Sequence, residues 1–142
     1  MKIFKRIVIV LAGLTLLTGC SKSSSGPSSA EGKWTYTTPD GKILVTFDLV
    51  KTSAGSLDIQ NHTMKIDGTT YNAEKQISGV ALPAIGTMRI NANDAKAVYP
   101  YYILFTNGSV SSDFKRIDVP DGEYTFPWGT AKTLKTVAIT RP

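Results

Sequence analysis

The chain has 142 residues, a formal charge of +5 and a single cysteine. Three of its sixteen Lys and Arg residues, but none of its eleven acidic residues, precede position 19, so that the remainder carries a formal charge of +2. A nearly balanced surface gives no electrostatic footprint for nucleic acid. One cysteine excludes an intramolecular disulfide and a zinc site built on several cysteines.

The first nineteen residues have the three parts of a secretory signal peptide. Lys2, Lys5 and Arg6 give a positive start, residues 7–17 form an uncharged apolar run, and small residues precede Cys20. The apolar run is too short to cross a hydrocarbon core, which takes roughly 20 residues. We therefore expect residues 1–19 to be removed from the mature protein.

The stretch Leu17-Thr18-Gly19-Cys20 resembles the lipobox of bacterial lipoproteins. The resemblance implies that the Cys20 sulfur carries a diacylglyceryl group, that the chain is cut before Cys20, and that the new amino terminus is acylated. Two or more acyl chains hold a protein stably on a membrane. We expect a protein of the bacterial cell envelope that is anchored by lipid and does not span the bilayer.

Residues 20–30 are expected to form a lipidated cysteine followed by a flexible tether, because Ser, Gly and Pro dominate residues 21–30 and leave nothing to bury. Some lipoproteins of the outer cell surface carry an acidic run directly after the cysteine. This segment has no acidic residue, and by that resemblance the periplasm-facing leaflet of the outer membrane is favoured over the cell surface.

From Glu31 onward apolar residues recur with period two, which predicts a single all-β domain over residues 31–142 with about nine short strands. The clearest strand places Ile43, Val45, Phe47 and Leu49 on one face. At Asn61-His62 the apolar positions change parity, which predicts a bulge or a turn.

Four turn signals divide the domain. Asp67-Gly68 predicts a tight hairpin that pairs Met64 with Tyr71, and Asn107-Gly108 predicts a second hairpin. Pro39-Asp40-Gly41 and Pro120-Asp121-Gly122 predict further turns. Connections this short favour antiparallel pairing, because parallel strands need long crossovers.

The stretch from Asp121 to Phe126 resembles the Asp-x-x-Tyr-x-Cys segment of immunoglobulin-like domains, with Tyr124 as the tyrosine that bonds back to the backbone at a corner. Phe126 stands where those domains place a cysteine, and Trp34 lies on the first strand rather than the third. The resemblance implies an antiparallel, immunoglobulin-like β-sandwich, which is the fold we expect first.

The alternative is a lipocalin-like β-barrel. Gly32-Lys33-Trp34 resembles the Gly-x-Trp of a lipocalin first strand, and Arg141 lies on the last strand where such folds place a basic partner. The resemblance implies a sheet closed on itself around a ligand cavity. The cavity would be lined by Tyr36, Phe47, Met88 and Leu104.

Aromatic residues are the candidate ligand-binding residues. Tyr99, Tyr101 and Tyr102 flank Pro100, and Trp128 lies between Pro127 and Gly129. Aromatic faces stack on sugar rings, and exposed ones mark binding surfaces. Tyr101 and Tyr102 are consecutive, and therefore point to opposite faces of a strand.

No set of catalytic or metal-ligating residues is apparent. His62 is the single histidine and lies in a predicted turn, whereas a general base or a metal site needs partners. The Asn and Asp residues of 91–94 and 118–123 fit turn chemistry better than a calcium loop. Ser109 has no Gly-x-Ser-x-Gly context. We expect no enzyme, no metal and no cofactor, but a module that binds a glycan or an envelope protein, or alternatively a carrier of a small apolar ligand.

Overall fold

The computed structural model describes residues 29–92, 101–126 and 130–142. Within these ranges the chain forms nine β-strands, and no helix there is long and apolar enough to cross a membrane. The predicted leader, Cys20 and most of the predicted tether lie outside the described residues. The strands are β1 Gly32–Thr37, β2 Ile43–Lys51, β3 Leu57–Ile66, β4 Thr69–Tyr71, β5 Ala73–Ala81, β6 Ala84–Ala92, β7 Tyr101–Val110, β8 Arg116–Thr125 and β9 Ala131–Thr140.

All nine strands belong to one antiparallel sheet, in the order β4-β3-β2-β1-β9-β8-β7-β6-β5. This confirms the expected all-β antiparallel fold. The order is a meander in which all consecutive strands pair except β4 and β5, and β1 pairs with β9. The sheet is nearly barrel-shaped, and this shape is compatible with both the sandwich and the lipocalin-like barrel.

Two weak junctions explain why both descriptions fit. Strands β1 and β9 share a single registered pair, Thr35 with Thr140, whereas the other neighbouring strands pair over three to nine positions. On the opposite side, β4 pairs with β3 and β5 pairs with β6, with Asn72 alone between β4 and β5. The sheet thus consists of a four-stranded half and a five-stranded half.

Side chains bridge the gap between β3 and β5, where no ladder is registered. His62 Nε2 lies 2.7 Å from the carbonyl oxygen of Ala73, and Lys75 Nζ lies 2.5 Å from Asp58 Oδ2. His62 therefore stands at this junction rather than in the solvated turn that the sequence suggested. Each bridge brings together residues of two strands that belong to different halves of the sheet.

Large apolar side chains fill the space that the sheet encloses. The largest side chains that are less than 2% exposed include Trp34, Phe47, Phe105 and Met88. Alternation is strict along β2, whose buried positions are the four that the sequence indicated. Of the residues expected to line a cavity, Tyr36, Phe47 and Met88 are buried, but Leu104 is only partly buried and alternates with the buried residues of β7.

A line of irregular positions crosses five adjacent strands. On each of the strands β5 to β9, one residue lies opposite its counterpart on the next strand without forming a regular ladder pair with it. These residues are Gly79, Gly86, Asn107, Pro120 and Thr136. Three of these five residues have positive φ, between 50° and 66°. A Cβ on either glycine would lie 3.1 Å from the other's Cα, which is closer than ordinary van der Waals contact. Skipped pairs and left-handed residues of this kind kink a strand, and such kinks introduce curvature into a sheet.

Two of the predicted turns lie on this line and are wrong. Asn107-Gly108 lies within β7 and Pro120-Asp121-Gly122 lies within β8, so neither reverses the chain. Asn107 uses its left-handed conformation (φ 56°) to bend the strand. Pro120 lacks an amide donor, and it occupies a position that the ladder skips.

Three further local predictions are confirmed. Two residues of β3, Asn61 and His62, lie opposite the single residue Phe47 of β2 where the register shifts. The change of apolar face at Asn61-His62 is therefore caused by a β-bulge. Asp67-Gly68 forms the tight hairpin, with Met64 paired to Tyr71. The turn before β2 closes through the Gly41 amide, which donates to the carbonyl oxygen of Thr38.

Candidate binding site at the far end of the barrel

The nearly closed sheet has two ends. At one end the chain leads into β1 at residues 29–31, and we call it the tether end. The opposite end carries residues 38–42 and the Asp67-Gly68 turn, and we call it the far end. Because neighbouring strands are antiparallel, β7 begins and β8 ends at the far end.

The tether end is closed by the residues that carry the lipocalin resemblance. Arg141 places its guanidinium carbon 4.6 Å from the ring centroid of Trp34, which is completely buried. The Nε atom of Arg141 donates a hydrogen bond to the carbonyl oxygen of Phe114 at 2.6 Å. A terminal guanidinium nitrogen of Arg141 donates to the carbonyl oxygen of Ser29. Gly32 leaves room for the Arg141 side chain, because a Cβ at position 32 would lie 2.8 Å from the guanidinium.

The far end carries a cluster of aromatic rings. Tyr101 packs edge-on against Tyr71 at 6.2 Å between ring centroids and against Phe126 at 5.7 Å. All three are partly buried and pack on the core, so their rings are accessible in part. Four residues further along β7, Phe105 meets the ring of Tyr36 edge-on at 5.2 Å. The nearly closed sheet thus carries two groups of edge-on aromatic rings toward its far end.

Tyr36 carries a buried hydroxyl without a hydrogen-bond partner among the described residues. The residue is 6% exposed. Burial raises the pKa of Tyr36 to about 12, and nearby Tyr124 and Asp40 add to the effect. The hydroxyl therefore stays protonated and can donate one hydrogen bond and accept others. A buried polar group left unpaired is costly, so this hydroxyl is a candidate to receive a hydrogen bond from outside the domain.

A polar network borders this hydroxyl. Tyr124 and Lys132 each donate to Asp40 Oδ2 at 2.9 Å, and Thr38 Oγ1 donates to Asp40 Oδ1 at 2.7 Å. Burial acts to raise the pKa of Asp40, but these hydrogen bonds, with one from the Lys42 amide, outweigh it and hold the pKa well below its usual range. Asp40 therefore remains a carboxylate.

The structure thereby corrects the role that the immunoglobulin resemblance implied for Tyr124. Its hydroxyl bonds to a carboxylate 84 positions earlier in the chain, not back to the backbone of its own corner. Burial, followed by the bond to Asp40, raises the pKa of Tyr124. The interaction ties the end of β8 to the turn between β1 and β2.

The predicted ligand-binding residues divide between two surfaces. Tyr101 belongs to the far-end cluster, and Tyr102 faces outward, as the strand period predicted. The Tyr102 hydroxyl donates to Glu123 Oε1 at 2.6 Å, and the Arg89 guanidinium carbon lies 4.2 Å from its ring centroid. Tyr99 and Trp128 lie outside the described residues, so their placement stays a prediction, as does the lipidation of Cys20.

The sequence reasoning missed Tyr71, Asp40 and Lys132 as site residues. A signal existed for Tyr71 alone, because the Asp67-Gly68 hairpin places it opposite the buried Met64. In the described parts of the chain, no three His, Cys, Asp or Glu side chains are grouped closely enough to hold a metal ion.

Comparison with known proteins identifies no matching family model, no similar curated protein and no similar solved structure. The far end combines partly accessible aromatic rings, a buried hydroxyl without a partner among the described residues and a carboxylate–ammonium pair, all at one end of the sheet.

Proposed function

We propose that this protein is a lipid-anchored component of the bacterial cell envelope, and that its β-domain is a non-enzymatic binding module whose ligand contacts the far end. The observation that carries the binding proposal is the unpartnered Tyr36 hydroxyl beside the aromatic cluster. The leader and the lipobox-like stretch that ends at Cys20 support the anchor and the compartment.

The chemistry of the far end favours a glycan as the ligand over an envelope protein. Sugar rings offer C–H faces that stack on aromatic side chains, and hydroxyls that both donate and accept hydrogen bonds. Tyr71, Tyr101 and Phe126 offer the stacking surface. Tyr36 offers a neutral hydroxyl, and Lys132, whose side chain is 41% exposed, offers ammonium donors beside the saturated Asp40 carboxylate.

The binding proposal is tested with two neighbouring tyrosines that face opposite sides of β7. The protein is screened against envelope glycans and envelope extracts, and binding of any hit is titrated for Tyr101→Ala and for Tyr102→Ala. We expect Tyr101→Ala to weaken binding at least tenfold and Tyr102→Ala to leave it within twofold. A screen without a hit, or equal losses in both variants, would contradict the proposal.

The anchor is tested by fractionating cells that produce the protein. The parent chain should sediment with membranes and require detergent for release, and Cys20→Ser should abolish this attachment. A parent protein that washes off membranes in plain buffer would contradict it.

A second candidate function is a lipocalin-like carrier of a small apolar ligand. The contact between Trp34 and Arg141 at the tether end, together with the nearly closed sheet, favours it. The buried Phe47 and Phe105 side chains limit such a ligand to the far end. A fluorescent apolar probe that binds, and is displaced by lipids but by no glycan, would favour the carrier over the glycan module.

A further inference from the structure

The hairpin between β5 and β6 exposes a large apolar side chain at the tether end. Leu82 is 50% exposed, and among the described residues it is the one large apolar side chain that is exposed. It borders a small pocket of about 170 Å³ with Ala30, Leu57 and Lys51. The neighbouring core residues Ala30 and Leu57 are buried, so Leu82 extends the core outward at this end.

The point at which the chain leads into the domain is fixed beside Leu82. Ser29 borders the same pocket, and its carbonyl oxygen accepts a hydrogen bond from Arg141. The indole Nε1 of Trp34 donates to the carbonyl oxygen of Ala30 at 2.9 Å. These contacts keep the start of the domain at the tether end.

Nine residue links separate Cys20 from Ser29 in the sequence. For a Ser- and Gly-rich segment of nine links, the root-mean-square span is roughly 15–18 Å. A ten-residue strand such as β3 rises about 33 Å. A lipid at Cys20 would therefore keep the tether end, rather than the far end, close to the bilayer.

Basic side chains lie at the same end of the sheet as the exposed leucine. Lys51 is the last residue of β2, at the tether end. Lys115 lies in the hairpin between β7 and β8, and the Arg141 amide donates a hydrogen bond to the Lys115 carbonyl oxygen. Both are exposed. Glu31 is exposed at the same end and accepts from the Lys51 amide. Exposed lysines near a bilayer are attracted to anionic headgroups, and an apolar side chain gains by entering the interface.

We propose that the tether end docks on the surface of the bilayer that holds the acyl chains of Cys20, with Leu82 inserted at the interface and Lys51 and Lys115 at the headgroups. The proposal rests on the lipid anchor of the proposed function and adds an orientation to it. The far end then points away from the membrane, which leaves its aromatic cluster open to ligands.

The test uses the full lipidated protein in vesicles that contain anionic phospholipid. Leu82→Cys supplies a thiol for an environment-sensitive fluorophore, since lipid blocks Cys20. Thr70→Cys, at an exposed site near the far end, is the matched control. Brominated acyl chains act as quenchers, and circular dichroism confirms that each labelled protein keeps its β-spectrum. Ala84→Cys, exposed on the same hairpin, replaces Leu82→Cys if that variant fails to fold.

We expect the label at position 82 to emit at shorter wavelength on vesicles and to be quenched several-fold more than the label at position 70. Equal, water-like emission at both positions, or stronger quenching at position 70, would overturn the docking proposal. Mass spectrometry of the same preparation separates the two proposals. Lipid on Cys20 with an unquenched label at 82 refutes only the docking, whereas an unmodified Cys20 refutes the anchor and the docking together.

Discussion

Removal of the Arg141 side chain tests whether the tether end is the closure that holds the two chain ends together. Arg141 stacks on Trp34 and donates to the carbonyl oxygens of Phe114 and Ser29. It therefore links β9 to the start of the domain and to the hairpin between β7 and β8. Arg141→Ala removes all three interactions and leaves a space beside Gly32, where no Cβ fills it.

The expected loss follows from these contacts. A cation–π contact contributes about 0.5–2 kcal/mol, and a hydrogen bond to a charged group about 1.5–3 kcal/mol when well buried. Arg141 is only partly buried, so we take the low end of each range. The free energy of unfolding should fall by roughly 3 kcal/mol, which is a large share of the 5–15 kcal/mol that domains possess.

Urea unfolding followed by far-UV circular dichroism measures this loss. Arg116→Ala is the matched control, because Arg116 lies near the same end, is 60% exposed and pairs with Asp118 on the surface. Such a pair contributes about 0–1 kcal/mol. If Arg141→Ala costs no more than Arg116→Ala, the closure does not have the energetic importance that its geometry indicates.

Three further changes test other parts of the structure. Tyr36→Phe removes a hydroxyl without a partner, so the free energy of unfolding should rise by about 1–2 kcal/mol while ligand binding weakens; a loss of stability in urea would show that the hydroxyl is satisfied. The pKa of Asp40 is lower in the folded than in the unfolded state, so the ionised carboxylate stabilises the folded protein. This stabilisation is complete above the unfolded pKa of about 3.9 and is lost as the pH falls through the pKa of the folded state. Stability measured between pH 5 and pH 2 should therefore fall less steeply in Asp40→Asn, and an unchanged slope would contradict this. Gly86→Ala places a Cβ 3.1 Å from the Cα of Gly79 and should lower the free energy of unfolding by about 1–3 kcal/mol, whereas full stability would mean that the kink relaxes freely.

Local signals predicted the fold where they report a feature of one strand. The parity change at Asn61-His62 predicted the bulge, because a one-residue slip must exchange faces. Asp67-Gly68 predicted the hairpin, because its left-handed pair matches the twist of the flanking strands. The opposite orientations of Tyr101 and Tyr102 followed from the strand period alone.

The same type of signal was wrong at Asn107-Gly108 and at Pro120. Asn tolerates a left-handed backbone and Pro lacks a donor, and both properties suit a kink within a strand as well as a turn. The distinction depends on the neighbouring strands, because the kink exists only where Gly86 and Thr136 line up beside these residues. A residue pattern read along one strand does not contain that alignment.

Much of the candidate site was beyond the reach of sequence reasoning for a related reason. The network at the far end joins Asp40 to Tyr124 and Lys132, which are 84 and 92 positions away. Periodicity assigns faces to residues within a strand, but it does not fix how a turn on one half of the sheet meets a strand on the other. The resemblance to lipocalins did bring together Gly32, Trp34 and Arg141, because a motif specifies residues that are distant in the chain.

The central claim is that lipid on Cys20 makes this domain a membrane-anchored binding module. Mass spectrometry of the protein purified from its native membrane tests it most directly. We predict a chain that begins at Cys20 and carries a diacylglyceryl group on sulfur together with an acyl group on the amino terminus. A chain that begins upstream of Cys20, or that carries a free thiol there, would contradict the claim.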